Sequence, residues 1–212
     1  MYRYLATSEE GFLQQLAVCY LRNRYWFYVT GTIPENKDPC AIDEKILGRY
    51  GIAMSKWGRY RRKKTGTANL QYLRLGRFFI ILATAGNHRF FDEEREVIRD
   101  ARETPVRFRD YSLSYRDGHP HVRIERETYE EMKAYFVGVA AKRPADVLAA
   151  EIAALPFERY APVRKQLWEL LRLVNRARSA AHLAALPESC VRARRKPCRP
   201  FDEGEVARAR AA

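Results

Sequence analysis

The sequence has neither the long apolar runs nor the paired cysteines that mark several large classes of protein. It contains no stretch of about 18 consecutive apolar residues, and its first residues lack the pattern of a signal peptide. We therefore expect a cytoplasmic protein that has no membrane partner. The four cysteines have no C-x-x-C spacing, so we expect reduced thiols and no zinc ribbon: Cys19, Cys40, Cys190 and Cys198.

Several short motifs of common enzymes are also missing. The sequence contains no phosphate-binding loop of the G-x-x-x-x-G-K-[ST] type, no H-E-x-x-H metal-binding helix and no G-x-S-x-G nucleophile turn. These absences argue against a nucleoside triphosphatase with such a loop, a zinc peptidase of that type and an α/β-hydrolase. From the residues alone we expect no resident cofactor, and the pattern leaves open whether the protein is an enzyme.

Acidic residues are few relative to basic ones. The 212 residues include 39 Lys and Arg against 26 Asp and Glu, which gives a formal net charge of +13 and an isoelectric point near 9.8. A surplus of this size increases affinity for polyanions such as nucleic acids through non-specific electrostatics. The 47% hydrophobic content, which includes 13 Tyr and 10 Phe, indicates a folded chain rather than a disordered one.

The positive charge is concentrated in two clusters. Six of the nine residues from Lys56 to Lys64 are Lys or Arg, and so are five of the eight from Arg192 to Arg199. Trp57 and Tyr60 lie within the first cluster, where rings can stack on bases while cations neutralise phosphates. We predict that the first cluster is a loop and the second a basic arm. The predicted nucleic-acid-binding residues are Lys56, Trp57, Arg59, Tyr60, Arg61, Arg62, Lys63, Lys64, Arg74, Arg77, Arg192, Arg194, Arg195 and Lys196.

Hydrophobic periodicity and turn residues predict an order of helices and strands. A capping box of Thr7 and Glu10 predicts an opening helix, and aromatic and β-branched residues predict a first strand over 25–33. Further helices are predicted to begin at Pro39 and at Asp92. The remaining predicted strands form two hairpins, over 69–83 with a turn at Gly76 and over 111–125. Three more helices are predicted, of which the first follows a capping box of Thr128 and Glu131, the second follows Pro144 and the longest begins at Pro162. The apolar stripe of the longest helix is predicted to comprise Leu167, Leu170, Leu171, Val174, Ala177 and Ala181.

The order of elements from residue 25 to about residue 116 is strand, helix, strand, strand, helix, strand, which is the ferredoxin-like split βαβ arrangement. This order resembles that of proteins with an RNA-recognition motif, and the resemblance implies that the strands over 27–33 and 77–82 stack bases. We therefore predict an α+β fold, with a ferredoxin-like antiparallel sheet (βαββαβ plus an extra hairpin strand) and a C-terminal helical extension. The predicted segments are an N-terminal helix (1–24), this core (25–127), C-terminal helices (128–187) and a basic tail (188–212).

A second resemblance starts from the sequence His119-Pro120-His121. It is similar to the His-hydrophobe-His strand motif of single-strand nicking proteins, the rolling-circle replication initiators and small tyrosine transposases. That resemblance implies a site for Mg²⁺ or Mn²⁺ on His119 and His121, because alternate residues of a strand point to the same face. It also implies a tyrosine nucleophile, for which Tyr160 has the most suitable spacing. The alternative is that both histidines lie in a turn and bind no metal.

The sequence thus supports one main hypothesis and two alternatives. The main hypothesis is a basic protein that binds RNA or single-stranded DNA and belongs to a ribonucleoprotein or a mobile-element machine. The first alternative is a metal-dependent single-strand nickase or transposase, and the second is a scaffold that docks an acidic protein partner. Charge clustering favours the first hypothesis, while the choice between RNA and DNA stays open.

Overall fold

A computed structural model of the chain describes residues 2–191 and 198–201 and has mixed helices and antiparallel strands. It divides into two compact units. Within the described residues, the first unit comprises 2–105, 114–120 and 198–201, and the second comprises 106–113 and 121–191. The α+β class expected from the sequence is confirmed.

The first unit is built on a four-stranded sheet in which every neighbouring pair is antiparallel. Its strands are β1 (Phe27–Thr32), β2 (Leu70–Leu75), β3 (Phe78–Ala83) and β4 (Arg99–Asp100), in the order β2-β3-β1-β4. The predicted hairpin over 69–83 is confirmed, with its turn at Gly76 and Arg77. The outer edge of β2 is covered because Leu5 forms a parallel bridge with Arg74.

Four α-helices accompany this sheet: α1 (Glu9–Gln14), α2 (Pro39–Tyr50), α3 (Lys56–Lys64) and α4 (Arg89–Glu93). A π-helix (Gln15–Tyr20) and a 3-10 turn (Leu21–Asn23) continue α1 and complete the opening helical segment. The prediction for α2 is confirmed, since the Asp38 carboxylate caps it and proline occupies the first turn. Two predicted starts are wrong. Ser8, and not Thr7, caps α1. His88 caps α4, so that this helix begins before the acidic residues from Asp92 onward.

Both faces of the sheet are covered by apolar side chains. On one face, Tyr72 and Ile81 belong to a buried cluster with Tyr50 of α2 and Phe90 of α4. On the other face, the side chains of Ile80, Leu82 and Leu73 are buried, and the Phe12 ring of α1 packs edge-on against Phe78. Phe27 and Phe79 on the central strands are half-buried and pack against the first of these clusters, and the base stacking implied by the first resemblance stays a prediction.

The other strands and helices belong mainly to the second unit, although residues 114–120, which include the end of one strand and the start of the next, are counted with the first. Strands β5 (Val106–Phe108), β6 (Tyr111–Arg116) and β7 (His119–Ile124) form a three-stranded sheet, followed by helices α5 (Arg126–Val139), α6 (Ala145–Ala153) and α7 (Ala161–Ala180). The sequence predicted that β6 would be the fourth strand of the first sheet. In the structure β4 is the fourth strand of that sheet, and β6 lies between β5 and β7 in the second sheet. Glu125 rather than Thr128 caps α5. The predicted apolar stripe of α7 is buried from Leu167 to Val174, whereas Ala177 is half-buried and Ala181 lies exposed just after the helix.

Helix α7 is the longest of the described helices, at 20 residues, and it is amphipathic. None of the helices within residues 2–191 and 198–201 has both the length and the apolar character that crossing a bilayer requires.

Candidate nucleic-acid interface

The first basic cluster forms a helix, α3, and not the predicted loop. The Ser55 hydroxyl accepts a hydrogen bond from the Gly58 amide at 3.1 Å and caps the start of the helix. The Thr65 hydroxyl lies 3.0 Å from the Arg62 carbonyl at the other end. Four consecutive cations occupy the last turn, where the helix dipole stabilises positive charge. Arg and Lys are also good helix formers, which explains the correction.

Hydrogen bonds hold α3 against the end of the sheet. The Asn69 side-chain amide, just before β2, donates to the Arg59 carbonyl at 3.1 Å. Beyond the helix, the Asn87 amide donates to the Gly66 carbonyl at 2.9 Å. Gly86 has a φ of +139°, and a Cβ there would lie 2.6 Å from the Ala68 nitrogen. Only glycine fits this close approach, so Gly86 and Asn87 determine where the chain enters β2.

The charges of α3 have no acidic partners in the part of the chain that the structure describes. None of its six cations forms an ion pair with a carboxylate there. Lys56 and Arg59 are three residues apart, and Arg59 and Lys63 are four apart, spacings at which like charges on a helix repel. A bound polyanion would relieve this repulsion.

Two aromatic rings accompany these cations on the surface of α3. Trp57 is 73% exposed and Tyr60 is 50% exposed, and their rings meet edge-on with centroids 6.4 Å apart. The Lys64 ammonium lies 5.1 Å from the centre of the Tyr60 ring. An exposed tryptophan of this kind is a large apolar surface that the fold itself does not use.

A cleft of about 780 Å³ lies beside α3 and is here called the basic cleft. One face of α3 lines it with side chains at helical spacing: Lys56, Arg59, Tyr60 and Lys63. Arg24 adds a fourth cation, and the rest of the lining includes Tyr20, Tyr25, Trp26, Asn23, Asn69 and Gln71. No Asp or Glu of residues 2–191 and 198–201 lines the cleft. Its walls thus combine positive charge, aromatic rings and amides, a combination suited to an anion that carries a planar polar ring.

Several polar groups at the basic cleft form hydrogen bonds within the protein. The Tyr2 hydroxyl donates to Gln71 Oε1 at 2.8 Å, and Gln71 Nε2 donates to the Tyr25 hydroxyl at 3.2 Å. Burial raises the pKa of Tyr20 to about 12, so this tyrosine keeps its proton at neutral pH. The Asn69 side chain is only 8% exposed. These groups offer hydrogen bonds without adding negative charge.

Two of the predicted binding residues belong elsewhere. Arg74 is 5% exposed and forms an ion pair with Asp43 at 2.8 Å, so it is a core residue and not a phosphate contact. The Arg77 guanidinium donates to the carbonyls of Pro34 and Glu35 at 2.6 and 3.1 Å, and thereby holds the loop after β1. Four more predicted residues lie outside the described residues: Arg192, Arg194, Arg195 and Lys196.

The histidine pair of the second resemblance lies on β7. His119 is exposed and His121 is half-buried. Within residues 2–191 and 198–201, no group of three or more His, Cys, Asp or Glu side chains could hold a metal ion. Tyr160 precedes α7 at its N-cap position, and its backbone carbonyl accepts from the Arg164 amide. These observations add no support for a metal-dependent nickase.

The sequence reading missed several residues of the cleft, because they come together only in the fold. Arg24 follows the opening helical segment, while Asn69 and Gln71 belong to the hairpin. The one signal in the sequence was the Tyr25-Trp26 pair, two adjacent aromatic residues at the start of the predicted first strand. In the structure that strand begins at Phe27, so both residues precede it. Comparisons of this chain with protein-family models, curated proteins and solved structures find no match.

Proposed function

We propose that this protein binds single-stranded nucleic acid, RNA or DNA, along α3 and the basic cleft. The observation that carries the proposal is a surface with cations and exposed aromatic rings, next to a cleft that no acidic side chain of the described part of the chain lines. Cations that neutralise phosphates release condensed counterions, which gives affinity without sequence preference. The arrangement has the two parts that single-strand binding requires, a positively charged groove and stacking rings.

A single strand fits this surface better than a duplex. Nine residues make α3 roughly 13 Å long, which is short for a helix that reads a major groove together with its flanking phosphates. The rings of Trp57 and Tyr60 are exposed, and such rings bind bases that are not already stacked and paired. Unpaired segments of RNA or DNA present such bases.

The fold gives limited further support. The strand order β2-β3-β1-β4 with antiparallel neighbours is the order of a ferredoxin-like sheet, and we propose that plan for the first unit. Because both faces of the sheet are covered, the proposed interface lies at the end of the sheet, and differs from the sheet-face mode implied by the resemblance to RNA-recognition motifs.

The test is a titration of labelled single-stranded RNA and DNA oligonucleotides, followed by fluorescence anisotropy at several salt concentrations. The variant K56Q/K63Q/K64Q removes three exposed cations of α3. The matched control, K165Q/R172Q/R176Q, removes three exposed cations of α7 and changes the net charge equally. We expect the α3 variant to bind more weakly and to lower the slope of log affinity against log salt by about 0.7 for each lost phosphate contact.

The control distinguishes a site from general charge. If both triple variants lose the same affinity and the same salt dependence, the net charge of the protein and not α3 binds the oligonucleotide, and the proposal is wrong. Lack of any salt-dependent binding by the unmodified protein would reject it directly. If binding is confirmed, treatment of the purified protein with ribonuclease or deoxyribonuclease would show whether the bound polymer is RNA or DNA.

A further inference from the structure

Two buried polar atoms of the basic cleft have no hydrogen-bond partner among the described residues. They are Nε1 of Trp26 and Oδ1 of Asn69, and both residues line the cleft. Buried polar groups are paired in the great majority of native structures, so each exception requires an explanation. Here the donor and the acceptor belong to two residues that line the same cleft. The Trp26 ring also contacts the Arg102 guanidinium, 4.4 Å from the ring centre, and the Tyr115 ring, 5.1 Å between centroids.

The chemical identity of the two atoms is fixed by their surroundings. The Arg59 carbonyl can only accept, so the Asn69 nitrogen must face it, as the 3.1 Å hydrogen bond has it. The Asn69 oxygen is therefore the atom left without a partner, and it is an acceptor. The indole nitrogen of Trp26 is a donor only. A ligand that satisfies both atoms presents an acceptor to Trp26 and a donor to Asn69.

We propose that the basic cleft is a pocket for one unstacked nucleotide, whose base lies against Trp26 and Asn69 and whose phosphate lies against Lys56, Arg59 and Lys63. Every nucleobase edge carries such donors and acceptors beside each other. The volume of about 780 Å³ is within the usual range for small-molecule sites. This inference rests on the proposed function, because the pocket would hold one residue of the strand that runs along α3.

The charge of the lining also restricts the ligand. Four cations line the cleft, and none of the Asp or Glu residues that the structure describes does, so these side chains attract an anionic ligand and do not repel it. An acidic peptide satisfies the cations as well, and its backbone N–H and C=O groups could pair with the two atoms. What favours a nucleobase is the aromatic lining, because the rings of Tyr20, Tyr25, Trp26 and Tyr60 can stack on a planar base.

Cys19 provides a reporter for the pocket. It is an exposed free cysteine that lines the cleft, whereas Cys40 lies on α2 and does not line it. The experiment measures the rate of alkylation of each cysteine by iodoacetamide, with the modified peptides separated by mass spectrometry. Because burial raises the pKa of the Cys19 thiol, the reaction is run at mildly alkaline pH.

The ligands are the four nucleoside monophosphates, with inorganic phosphate, ribose 5-phosphate and an oligoglutamate peptide as comparisons. We expect at least one nucleotide to slow Cys19 alkylation about tenfold at ten times its Kd, while Cys40 alkylation stays constant. If ribose 5-phosphate or the acidic peptide protects Cys19 as well as every nucleotide does, the base is not recognised and the proposal is overturned.

Variants then test the two unpaired atoms. Trp26→Phe removes the indole donor and keeps an aromatic ring, and Asn69→Ser removes the amide. Each should lower nucleotide affinity about 3- to 10-fold, the value of one hydrogen bond. Trp168→Phe, a half-buried tryptophan of α7, is the matched control for Trp26. Circular dichroism reports whether each variant is folded, and the alkylation of the unmodified protein tests the pocket without any variant.

Failure of this inference differs from failure of the proposed function. If oligonucleotides bind through the cations of α3 but neither they nor any nucleotide changes Cys19 alkylation, the pocket is refuted and strand binding stands. If nucleotides protect Cys19 and oligonucleotides do not bind, the pocket stands and strand binding is refuted. If nucleotides and oligonucleotides both protect Cys19, and protect it less in Trp26→Phe, the pocket and strand binding are both supported.

Discussion

The carboxylate of Asp43 on α2 and the guanidinium of Arg74 on β2 form a buried bidentate ion pair. Arg74 Nε lies 2.8 Å from Oδ1 and Nη2 lies 2.8 Å from Oδ2, and the Tyr72 hydroxyl donates to the same carboxylate at 2.6 Å. Asp43 is fully buried and Arg74 is 5% exposed. The pair joins α2 to the edge strand β2. It also explains why Arg74, which the sequence predicted to bind nucleic acid at the surface, is a core residue.

Replacement of Asp43 by Ala should strongly destabilise the first unit. It would leave the Arg74 charge buried without a partner, which costs about 3–5 kcal/mol in comparable buried pairs. Urea denaturation measures the free energy of unfolding. Asp92→Ala is the matched control, because Asp92 is exposed, and it should change that free energy by less than about 0.5 kcal/mol. Equal, small effects of both substitutions would contradict the structural role of the pair.

Two glycines should respond in opposite directions to alanine. Gly86→Ala forces a Cβ to within 2.6 Å of backbone at φ +139°, so we expect a loss of roughly 1–3 kcal/mol or more. Gly48→Ala lies on α2 with open space around it, and should gain about 0.5–1 kcal/mol through helix propensity. Thermal unfolding compares the two directly. A neutral Gly86→Ala variant would mean that the close approach to residues 66–68 is not required.

The stability of the protein should decrease in mild acid because of His88. The Nδ1 atom of His88 accepts from the Phe90 amide at 3.1 Å, which requires that this nitrogen is unprotonated. Burial lowers the pKa of His88, and the charges of Arg62 and Arg89 lower it further. The unfolded chain therefore takes up this proton first. The contribution of His88 is present above about pH 6.5 and is lost as the pH falls from there through the folded-state value.

The substitution His88→Asn tests this pH dependence. Asparagine also caps helices but does not titrate, so the variant should lose less stability than the unmodified protein between pH 7 and pH 5. Chemical denaturation at each pH gives the free energy of unfolding. His119→Asn, at an exposed position that caps no helix, is the control. Parallel pH profiles for the unmodified protein and His88→Asn would show that His88 has no part in the effect.

Trp57→Ala should weaken nucleic-acid binding while leaving the fold intact. The indole is 73% exposed, so its removal should change the free energy of unfolding by less than about 0.5 kcal/mol. If it stacks on a base, affinity for a single-stranded oligonucleotide should fall by about 1–3 kcal/mol, which is roughly 5- to 150-fold. The same substitution at Tyr135, an exposed ring on α5, should leave affinity unchanged. Unaltered binding by Trp57→Ala would remove stacking from the proposal.

Sequence patterns predicted those elements that have strong local signals. Asp38-Pro39 marked the start of α2, Gly76 marked the hairpin turn, and the leucines of α7 formed the expected buried stripe. The same approach failed where two local signals competed. Clustered charge in residues 56–64 favoured a loop, but a serine cap and good helix formers made it a helix. The short strand β4 gave no periodicity from which it could be found.

The sequence by itself determined the excess of positive charge, its concentration beside a hairpin, and the α+β class, because composition and periodicity are properties of the chain alone. Only the tertiary structure decided which cations are available. The Arg74 and Arg77 side chains are engaged by an ion pair and by backbone carbonyls, and Arg59 donates to the Met54 carbonyl at 2.7 Å, whereas Lys56 and Lys63 form no ion pair among the described residues. The physical reason is that pairing and burial depend on neighbours distant in sequence, and neither can be read from a list of residues.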